Sequence, residues 1–363
     1  MTKYKLGDIC EIVSGSTPKT GIDEYWDGDV KWITPAELND DTYIINDSVR
    51  KITELAVKKT GLSPFPEGTV ILSSRAPIGK VAIAGCKMYC NQGFKNLICS
   101  EKINNKYLYW FLKSNTDYLK SLGRGATFKE ISKGIVSEIE INVPEIRKQV
   151  ETVAILEKVS KVIALRKQEI SALDDLIKAR FVEMFGDVKH EEKYKGIPLR
   201  ELCFTMSGGT PSTKNTEYYE GNIPWITTVS LGPNHIDGST ANGYITQEAI
   251  KNSATKLIPA GNILFGTRVG VGKSSINDVD ICTNQDIIAI IGIDENRFNR
   301  VFIKHVLDDY QPYYDSLKKG ATILGITSDD LKDTLIPDAP IDVQAEFVAF
   351  VDQVDKSKFM KSF

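Results

Sequence analysis

The sequence predicts an α+β protein in which two tandem α+β domains are separated and followed by long helices that form a coiled coil. Three observations support this fold class. The chain matches itself at a shift of 193 residues, each copy mixes strand and helix patterns, and one long stretch keeps helical spacing without Gly or Pro. We expect a first domain at 1–143, a central helix at 144–187, a second domain at 188–338 and a short helix at 339–363.

The duplication extends through both halves of the chain. At a shift of 193 residues, 14–18 fall on 207–211 and 32–34 fall on 225–227, with nearly the same residues in both copies. A repeat of this length indicates two copies of one domain and is too long for a solenoid. The shared residues are mainly turn and surface types, so we expect one scaffold that carries two different recognition surfaces. Further matched positions are Arg75 with Arg268, Lys80 with Lys273, Asn91 with Asn284, Gln92 with Gln285 and, after a slip to 195 residues, 125–127 with 320–322 and Gln149 with Gln344.

Each copy contains short apolar runs that predict strands. The runs at 70–73 and 263–266 follow Pro-x-Gly turns, and 287–291 is a continuous apolar run. The stretches 106–122 and 301–317 place apolar residues on about one face of a helix, so each predicts a helix. Each copy is therefore expected to be an α+β domain of roughly 140 residues.

The stretch between the two copies is the clearest single element. It begins at Pro144 and Glu145, a favoured helix opening, and ends at Gly186, which suits the position just after a helix. Roughly 41 residues at 1.5 Å each give a helix of about 60 Å, which is longer than one small domain can cover. Apolar residues recur at a spacing near 3.5, which predicts a coiled coil. The predicted seam consists of Leu156, Val159, Ile163, Ile170, Leu173 and Ile177, joined by Phe347, Phe350 and Val354 from the helix after the second copy.

Composition argues against several classes of protein. The net charge of −3 does not by itself suggest DNA, so any DNA-binding face must be a local concentration of cations. The six cysteines form no Cys-x-x-Cys pair and the three histidines are far apart, which predicts reduced interior thiols and no zinc site. No apolar run approaches the ~20 residues of a membrane span, and the first residues do not resemble a secretion signal. We expect a cytoplasmic protein without membrane spans.

Catalytic motifs are absent from the sequence. The segment 266–274 superficially resembles a phosphate-binding loop, but Thr267 stands where the first Gly of that motif is required. There is no nucleophile elbow, no zinc-protease motif, no acidic nuclease cluster and no amino-methyltransferase signature. Pairs such as Asp40 with Asp41 are more simply explained as turn and cap residues. We expect a chain that is not an enzyme and holds no cofactor.

The residue types that recur in both copies suit contacts with nucleic acid. Arg can read guanine and Asn or Gln can read adenine through paired hydrogen bonds, while Lys and Thr can contact phosphates. For the Arg and Asn-Gln positions, base reading and the bracing of a loop are equally good interpretations, and for Trp32 and Trp225 a place in the core is favoured. The candidate DNA-binding residues are Thr17, Lys19, Arg75, Lys80, Asn91, Gln92, Arg124 and Thr127 in the first copy, and Thr210, Lys214, Arg268, Lys273, Asn284, Gln285, Lys318, Lys319 and Thr322 in the second.

The chain resembles the DNA-specificity subunits of Type I restriction-modification systems over its whole length. The resemblance is carried by the duplicated layout, the openings at 6–18 and 199–211, the Trp-Ile-Thr and Asn-Gln motifs, the Gly-Ala-Thr segment at 125–127 and the entry to the central helix at 144–149. It implies that each domain reads one half of a bipartite duplex DNA target. It also implies an antiparallel helix pair that acts as a ruler and docks two methyltransferase subunits. Those subunits would hold S-adenosylmethionine, and restriction subunits would join them.

One departure from the family pattern concerns the second helix, which is about half as long as the first. In an antiparallel pair, 341–363 would cover only the 168–187 end of the central helix, leaving the seam at Leu156, Val159 and Ile163 without a partner. Either the chain is truncated or another subunit covers that surface. The alternative function is a duplicated scaffold or adaptor that binds proteins or glycans, and salt-dependent binding to duplex DNA would separate the two. An enzyme acting alone would require activity from the purified chain.

Overall fold

The computed structural model describes residues 1–125, 129–187, 193–320 and 324–361, with side chains as far as 358. It divides into two compact units, Met1–Leu165 (unit 1) and Arg166–Phe363 (unit 2). The boundary between the units falls inside the central helix. Each unit therefore contains one copy of the repeat together with part of that helix.

Unit 1 is built from short strands and helices in mixed order. Its strands are β1 (Thr2–Lys5), β2 (Cys10–Ser14), β3 (Trp26–Ile33), β4 (Ile44–Ile45), β5 (Lys51–Ile52), β6 (Val70–Ser73), β7 (Val81–Ala84), β8 (Tyr89–Cys90), β9 (Phe94–Cys99) and β10 (Glu140–Val143). Its helices are α1 (Leu6–Ile9), α2 (Glu54–Thr60), α3 (Asn105–Ser114), α4 (Thr116–Ser121) and α5 (Lys133–Ser137), followed by the first part of the central helix α6 (Ile146–Phe185).

Unit 2 repeats this order after the end of α6. Its strands are β11 (Gly196–Pro198), β12 (Phe204–Ser207), β13 (Ile223–Ile226), β14 (His235–Ile236), β15 (Gly243–Ile245), β16 (Leu257–Ile258), β17 (Ile263–Gly266), β18 (Ser274–Asn277), β19 (Ile281–Thr283), β20 (Ile287–Ile291) and β21 (Leu335–Pro337). Its helices are α7 (Gln247–Lys251), α8 (Arg300–Asp309), α9 (Gln311–Leu317), α10 (Ser328–Lys332) and α11 (Ile341–Lys361).

The larger sheets of the two units have the same strand order, and the smaller sheet of unit 2 has one strand more than that of unit 1. A five-stranded sheet has the order β2-β9-β6-β7-β4 in unit 1 and β12-β20-β17-β18-β14 in unit 2. A smaller sheet is built on β5-β3-β8 in unit 1 and on β15-β13-β19-β16 in unit 2. In the larger sheets every residue of β6 and β17 is buried, as the continuous apolar runs predict. Helices α3 and α8 pack on these sheets and close the core of each unit.

The two long amphipathic helices expected within the copies are each broken into two. In unit 1 the break is at Asn115, whose side-chain amide donates to the Phe111 carbonyl at 2.8 Å and so satisfies the end of α3. In unit 2 the break is at Tyr310, and Pro312 follows as the second residue of α9. Proline lacks the amide hydrogen that a continuous helix needs. The apolar spacing predicted which face of each helix pair is buried, but it did not predict the break between the two helices.

Helix α6 begins and ends where the sequence predicts. A buried glutamine attaches its start to unit 1, because Gln149 accepts a hydrogen bond from the Asn104 amide at 2.8 Å and donates to two backbone carbonyls. Gln344 makes the matching bonds at the start of α11, accepting from the Asn299 amide at 2.9 Å. At the other end, Gly186 has a φ of +82°, which favours glycine after a helix.

Within unit 2, α11 runs antiparallel to the second half of α6. Asp174 on α6 pairs with Lys358 near the end of α11 at 2.7 Å, whereas Arg180 pairs with Glu346 near its start, also at 2.7 Å. The ring of Phe181 on α6 packs against the ring of Phe347 near the start of α11, and both residues belong to the core of the unit. This order of contacts confirms the antiparallel coiled-coil arrangement.

The predicted seam residues differ in burial along the helices. Those that face α11 or the core of unit 2 are covered, whereas those in the middle of α6 are not: Val159 and Ile163 are 50% and 52% exposed. An apolar stripe on the first half of α6 is thus uncovered among the described residues, as the short second helix led us to expect. Of the other seam residues, Ile177, Phe347 and Val354 are buried, and Leu156, Ile170, Leu173 and Phe350 are half-buried.

Candidate nucleic-acid interface

The candidate site of each unit is built on two parallel strands of the smaller sheet. In unit 1, β3 pairs in parallel with β8, and in unit 2, β13 pairs in parallel with β19. Parallel strands end at the same edge of a sheet, so the residues that follow them lie side by side. The Asn91 amide donates to the Ile33 carbonyl at 3.1 Å, and the Asn284 amide donates to the Ile226 carbonyl at 3.0 Å. The Trp-Ile-Thr and Asn-Gln motifs therefore meet in both units.

The segments 14–18 and 207–211, which we name the Thr-Pro loops, pack directly against these strand ends. A Cβ on Gly15 would overlap the backbone of Cys90, and a Cβ on Gly208 would overlap Thr283 and the next residue. Only glycine permits so close an approach of one backbone to another. The repeated glycine is therefore explained by packing, and it brings each Thr-Pro loop to the edge where the Asn-Gln motif lies.

The repeated tryptophans hold the Thr-Pro loops in place. The indole Nε1 of Trp32 donates to the Ser16 carbonyl, and that of Trp225 donates to the Gly209 carbonyl, each at 3.1 Å. Trp32 is buried, whereas Trp225 is half-buried. Both rings thus pack in the unit and make one polar bond to the loop.

A side-chain hydrogen bond joins the Thr-Pro loop to the Asn-Gln motif in each unit. The Thr17 hydroxyl donates to Oε1 of Gln92 at 2.6 Å, and the Thr210 hydroxyl donates to Oε1 of Gln285 at the same distance. All four side chains are exposed. Four candidate residues are therefore brought together in two equivalent pairs that face solvent.

The asparagines of the same motif have a different role from the glutamines. Oδ1 of Asn91 accepts from the Gly93 amide at 2.9 Å, and Oδ1 of Asn284 accepts from the Asp286 amide at 3.3 Å. These bonds are Asx turns, in which the side chain fixes the local backbone. The Asn284 amino group also donates to Oδ2 of Asp286 at 3.2 Å. We name 91–93 and 284–286 the Asn-Gln turns, in which asparagine braces the turn and glutamine is presented.

The loops that carry the repeated arginines, 74–80 and 267–273, lie beside the Asn-Gln turns. The Ser74 amide donates to the Gly93 carbonyl and the Thr267 amide to the Asp286 carbonyl, each at 2.8 Å. A second backbone bond ties each arginine loop to the segment that follows the Gly-Ala-Thr motif. These bonds run from Ile131 to Ser74 and from Ile326 to Thr267, each at 2.9 Å.

Both loop arginines contact a carboxylate. Arg75 is 4.0 Å from Glu130, which also accepts from the buried ammonium of Lys95 at 3.0 Å. Arg268 is 3.5 Å from Asp286. Arg268 is the more exposed of the two guanidinium groups, with 56% of its side chain accessible against 35% for Arg75. Each arginine lies within ion-pair distance of an acid, and its side chain stays partly accessible.

The repeated lysines of the arginine loops differ between the units. The Lys80 ammonium donates to the backbone carbonyls of Pro35 and Leu38, so it braces the turn after β3. Lys273 is exposed.

Lys318 pairs with Asp315 at 2.5 Å, and that contact holds the pKa of the Asp315 carboxyl below its usual value.

The remaining candidates lie at the surface or outside the described residues. Lys19, Lys214, Arg124 and Lys319 are exposed. Arg124 and Lys319 each form a backbone bridge, with Glu130 and Gly325 respectively, at the base of the Gly-Ala-Thr segment. Thr127 and Thr322, within that segment, lie outside the described residues.

Three buried or half-buried cysteines are poorly suited to nucleophilic chemistry. Burial raises the pKa of the Cys90 thiol to about 12 and the pKa values of Cys203 and Cys282 to about 11, so these thiols are protonated at neutral pH. Across the described ranges, no cluster of three or more His, Cys, Asp or Glu residues could hold a metal ion. Among the helices described, none combines the length and apolar character needed to cross a membrane.

Sequence reasoning missed the acids that hold the arginines. Glu130 follows the Gly-Ala-Thr segment, and at a shift of 195 its position in unit 2 is Gly325. Asp286 belongs to the Asn-Gln turn, and at a shift of 193 its position in unit 1 is Gly93. Neither acid recurs in the other copy, so a search for repeated positions could not find them.

Comparison with known proteins identifies a family. The family model described as the Type I restriction modification DNA specificity domain matches residues 1–174 and 191–361. The MjaIX Type I restriction enzyme specificity subunit of Methanocaldococcus jannaschii is 34% identical over 282 residues, which cover 72% of this chain and 64% of that protein. This chain thus spans less than two thirds of that relative.

Two solved structures share the fold. One, from a study of complex assembly and conformational transition of the type I R-M system, aligns over 99% of this chain and 92% of its own length, with a TM-score of 0.59 and 19% identity. The other, the S subunit of a Type I restriction-modification system from M. genitalium, aligns over 99% of this chain and 91% of its own, with a TM-score of 0.54 and 14% identity. At these identities the likeness shows the fold alone.

Proposed function

The chain belongs to the Type I restriction-modification DNA specificity family, and from that premise we propose that it reads a bipartite sequence in duplex DNA, one half-site with each unit. The expected domains at 1–143 and 188–338 supply the two reading surfaces, and the helix at 144–187 acts as the spacer. The chain transfers no methyl group and cuts no DNA by itself. Those reactions belong to methyltransferase and restriction subunits that assemble with it.

The observation that carries this proposal is the twofold occurrence of one surface assembly. In each unit a Thr-Pro loop, an Asn-Gln turn and an arginine loop converge, and they present a glutamine and a guanidinium to solvent. These groups can hydrogen-bond to base edges, while exposed cations beside them can contact phosphates. The exposed cations are Lys19 and Arg124 in unit 1, and Lys214, Lys273 and Lys319 in unit 2.

The net negative charge of the chain is compatible with DNA binding by this surface. Two candidate cations are engaged within the protein: Lys80 binds backbone carbonyls and Lys318 binds Asp315. We assign these two to bracing and leave the phosphate contacts to the exposed cations. A small set of phosphate contacts suffices to steer a chain of net charge −3 to DNA when the cations are grouped on one face.

We further propose that the methyltransferase subunits, two in number, dock on the helices. The exposed stripe of Ile155, Val159, Val162 and Ile163 supports this, because a contiguous exposed apolar patch marks a surface that another protein covers. The methyltransferase subunits supply S-adenosylmethionine, so this chain needs no cofactor. Restriction subunits complete the assembly.

The proposal is tested by binding of the purified full chain to duplex DNA. Affinity for a randomised duplex library should fall at least tenfold between about 50 mM and about 200 mM salt, because counterions are released from contacted phosphates. Replacing 1–143 with the matching domain of a relative should change one half of the selected motif and leave the other half as it was. A change in both halves, or binding insensitive to salt, would refute the proposal.

A further inference from the structure

The Thr–Gln pairs are the most regular polar feature that the two units share. Thr17 and Gln92 in unit 1, and Thr210 and Gln285 in unit 2, are joined by hydrogen bonds of the same length, 2.6 Å, with the same atoms in the same roles. In each pair the hydroxyl donates and the amide oxygen accepts. The repeat therefore preserves not only the residues but the direction of the amide.

That direction decides what each glutamine can offer a ligand. A glutamine amide has an acceptor end, Oε1, and a donor end, Nε2, which carries two hydrogens. The threonine hydroxyl engages Oε1 in both units. Among the residues described, neither Nε2 group donates a hydrogen bond to the protein, and both glutamines are exposed. The amino groups of Gln92 and Gln285 are thus turned away from their threonines with their hydrogens unused.

The threonines are themselves held rigidly. Pro18 and Pro211 follow them directly and are buried. On the other side, Gly15 and Gly208 press the loop backbone against the strand that leads into the Asn-Gln turn. An exposed glutamine otherwise turns freely about its terminal bond, and the hydrogen bond from the threonine restricts that rotation before a ligand arrives. The threonine acts as a positioning residue.

We propose that Gln92 and Gln285 meet DNA as hydrogen-bond donors whose direction Thr17 and Thr210 set. This inference rests on the proposed function and specifies the chemistry of its contacts. The paired recognition of adenine requires a glutamine to donate to N7 and to accept from N6 with the same amide. The threonine already occupies one of the two lone pairs of Oε1, so the two hydrogens of Nε2 are the larger free capacity of this amide. Its ligand is an acceptor: O6 or N7 of guanine, O4 of thymine, or a phosphate oxygen.

A double-mutant cycle on the full chain tests whether the hydroxyl acts through the amide. Thr17→Val keeps the shape of threonine and removes the hydroxyl, Gln92→Ala removes the amide, and Thr17→Ser keeps a hydroxyl as the matched control. The probe is a labelled duplex carrying the motif that the unmodified chain selects from a randomised library. We expect Gln92→Ala to raise Kd about tenfold, Thr17→Val to raise it severalfold, and Thr17→Ser to stay within about twofold of the unmodified chain.

The decisive value is the Kd of the double variant. If Thr17 acts through Gln92, the double variant binds no more than about twofold more weakly than Gln92→Ala alone. If the two losses multiply, or if Thr17→Ser behaves like Thr17→Val, the positioning role is refuted. Thr210→Val and Gln285→Ala repeat the cycle at the other half-site and should give the same coupling.

Selection from the randomised library by each variant identifies the acceptor. Loss of a preference for guanine or thymine at one position in Gln92→Ala assigns a base contact, and an equal loss on every duplex assigns a phosphate oxygen. Loss of a preference for adenine would overturn the donor assignment. Thr17→Val should accept adenine in addition at that position, since its amide can turn. An unmodified chain that selects no duplex refutes the proposed function, whereas a selected motif with multiplying losses refutes only the present inference.

Discussion

The arginine loops of the two units have the same backbone position but different electrostatic surroundings. In unit 1 the arginine faces Glu130, which also neutralises the buried Lys95. In unit 2 it faces Asp286, which also accepts a hydrogen bond from Asn284. The two acids come from non-equivalent positions of the repeat. Duplication has kept the place of the arginine while the group that orients it has changed.

Backbone contacts explain why the frame is kept. The Thr-Pro loop, the Asn-Gln turn and the arginine loop are joined in both units by equivalent backbone hydrogen bonds and by glycines that allow close approach. Such bonds constrain any residue that follows the same path, so the frame tolerates different side chains at its surface. Two surfaces that read different half-sites need that tolerance, and the differences between the units lie among the side chains.

The difference between the units with the largest expected effect, an effect on stability in acid, lies in their cores. His305 of unit 2 stands where unit 1 has Trp110 at a shift of 195 residues, on the equivalent helices α8 and α3. Burial, followed by the charge of Lys304, lowers the pKa of His305 from 6.5 to about 4, although Asp308 and Asp355 oppose the shift. Nε2 of this ring has no hydrogen-bond partner among the described residues. The folded unit therefore holds a neutral imidazole.

Acid should destabilise unit 2 through this residue and leave unit 1 without that contribution. Between pH 6.5 and about 4 the unfolded chain binds a proton at His305 and the folded chain does not, so the free energy of unfolding falls as pH falls across that window. At about 1.4 kcal/mol for each pH unit the loss reaches about 3 kcal/mol. Hydrogen exchange of each unit, measured against pH, reports it.

A matched variant isolates the histidine from the carboxylates that titrate in the same range. His305→Gln cannot take up the proton, so its unit 2 should lose less stability than the parent between pH 6.5 and 4. Equal acid sensitivity of the parent and His305→Gln would assign the loss to other groups and remove this difference between the units.

The loop arginines should show the next largest effect. Arg75→Ala and Arg268→Ala should each weaken binding by about 1–3 kcal/mol and relax specificity in one half-site only, since each belongs to one reading surface. Arg75→Lys and Arg268→Lys keep the charge but lose the planar fork, so they should restore little if the arginine reads a base. Duplex selection and titration measure both quantities. If a folded alanine variant binds DNA with unchanged affinity, that arginine braces its loop and does not read a base.

Much of this architecture could be predicted from the sequence, and the failures have physical causes. The repeat, the strands at 70–73 and 263–266 and both ends of α6 follow from residue spacing and from Gly and Pro, which act locally. The division of α3 from α4 at Asn115 coincides with a side-chain hydrogen bond to the backbone, which apolar spacing does not register. The bracing role of Lys80 depends on carbonyls more than 40 residues away in the chain. The pairing of Thr17 with Gln92 likewise requires the fold.

Replacing the acids that pair with the loop arginines should lower the stability of the two units by different amounts, and this difference is smaller than the preceding effects. Glu130→Gln leaves the ammonium of Lys95 buried without its carboxylate, so unit 1 should lose about 1.5 kcal/mol of stability. Asp286→Asn should cost unit 2 less than about 0.5 kcal/mol, because Arg268 is largely hydrated. Hydrogen exchange of each unit gives both values. The double variant Lys95→Met with Glu130→Gln should recover part of the loss, and equal losses in the two units would contradict the distinction.

The smallest expected effect is a difference between substitutions of Lys80 and Lys273, which occupy equivalent positions in the repeat. Because Lys80 donates to backbone carbonyls, Lys80→Met should lower the stability of unit 1 by about 0.5–1 kcal/mol and leave the salt dependence of DNA binding unchanged. Lys273 is exposed, so Lys273→Met should leave stability unchanged and reduce the slope of log K against log salt by about 1, the loss of one phosphate contact. Titrations at four salt concentrations measure the slopes. A reduced slope in Lys80→Met would place its ammonium on DNA and restore the equivalence of the two lysines.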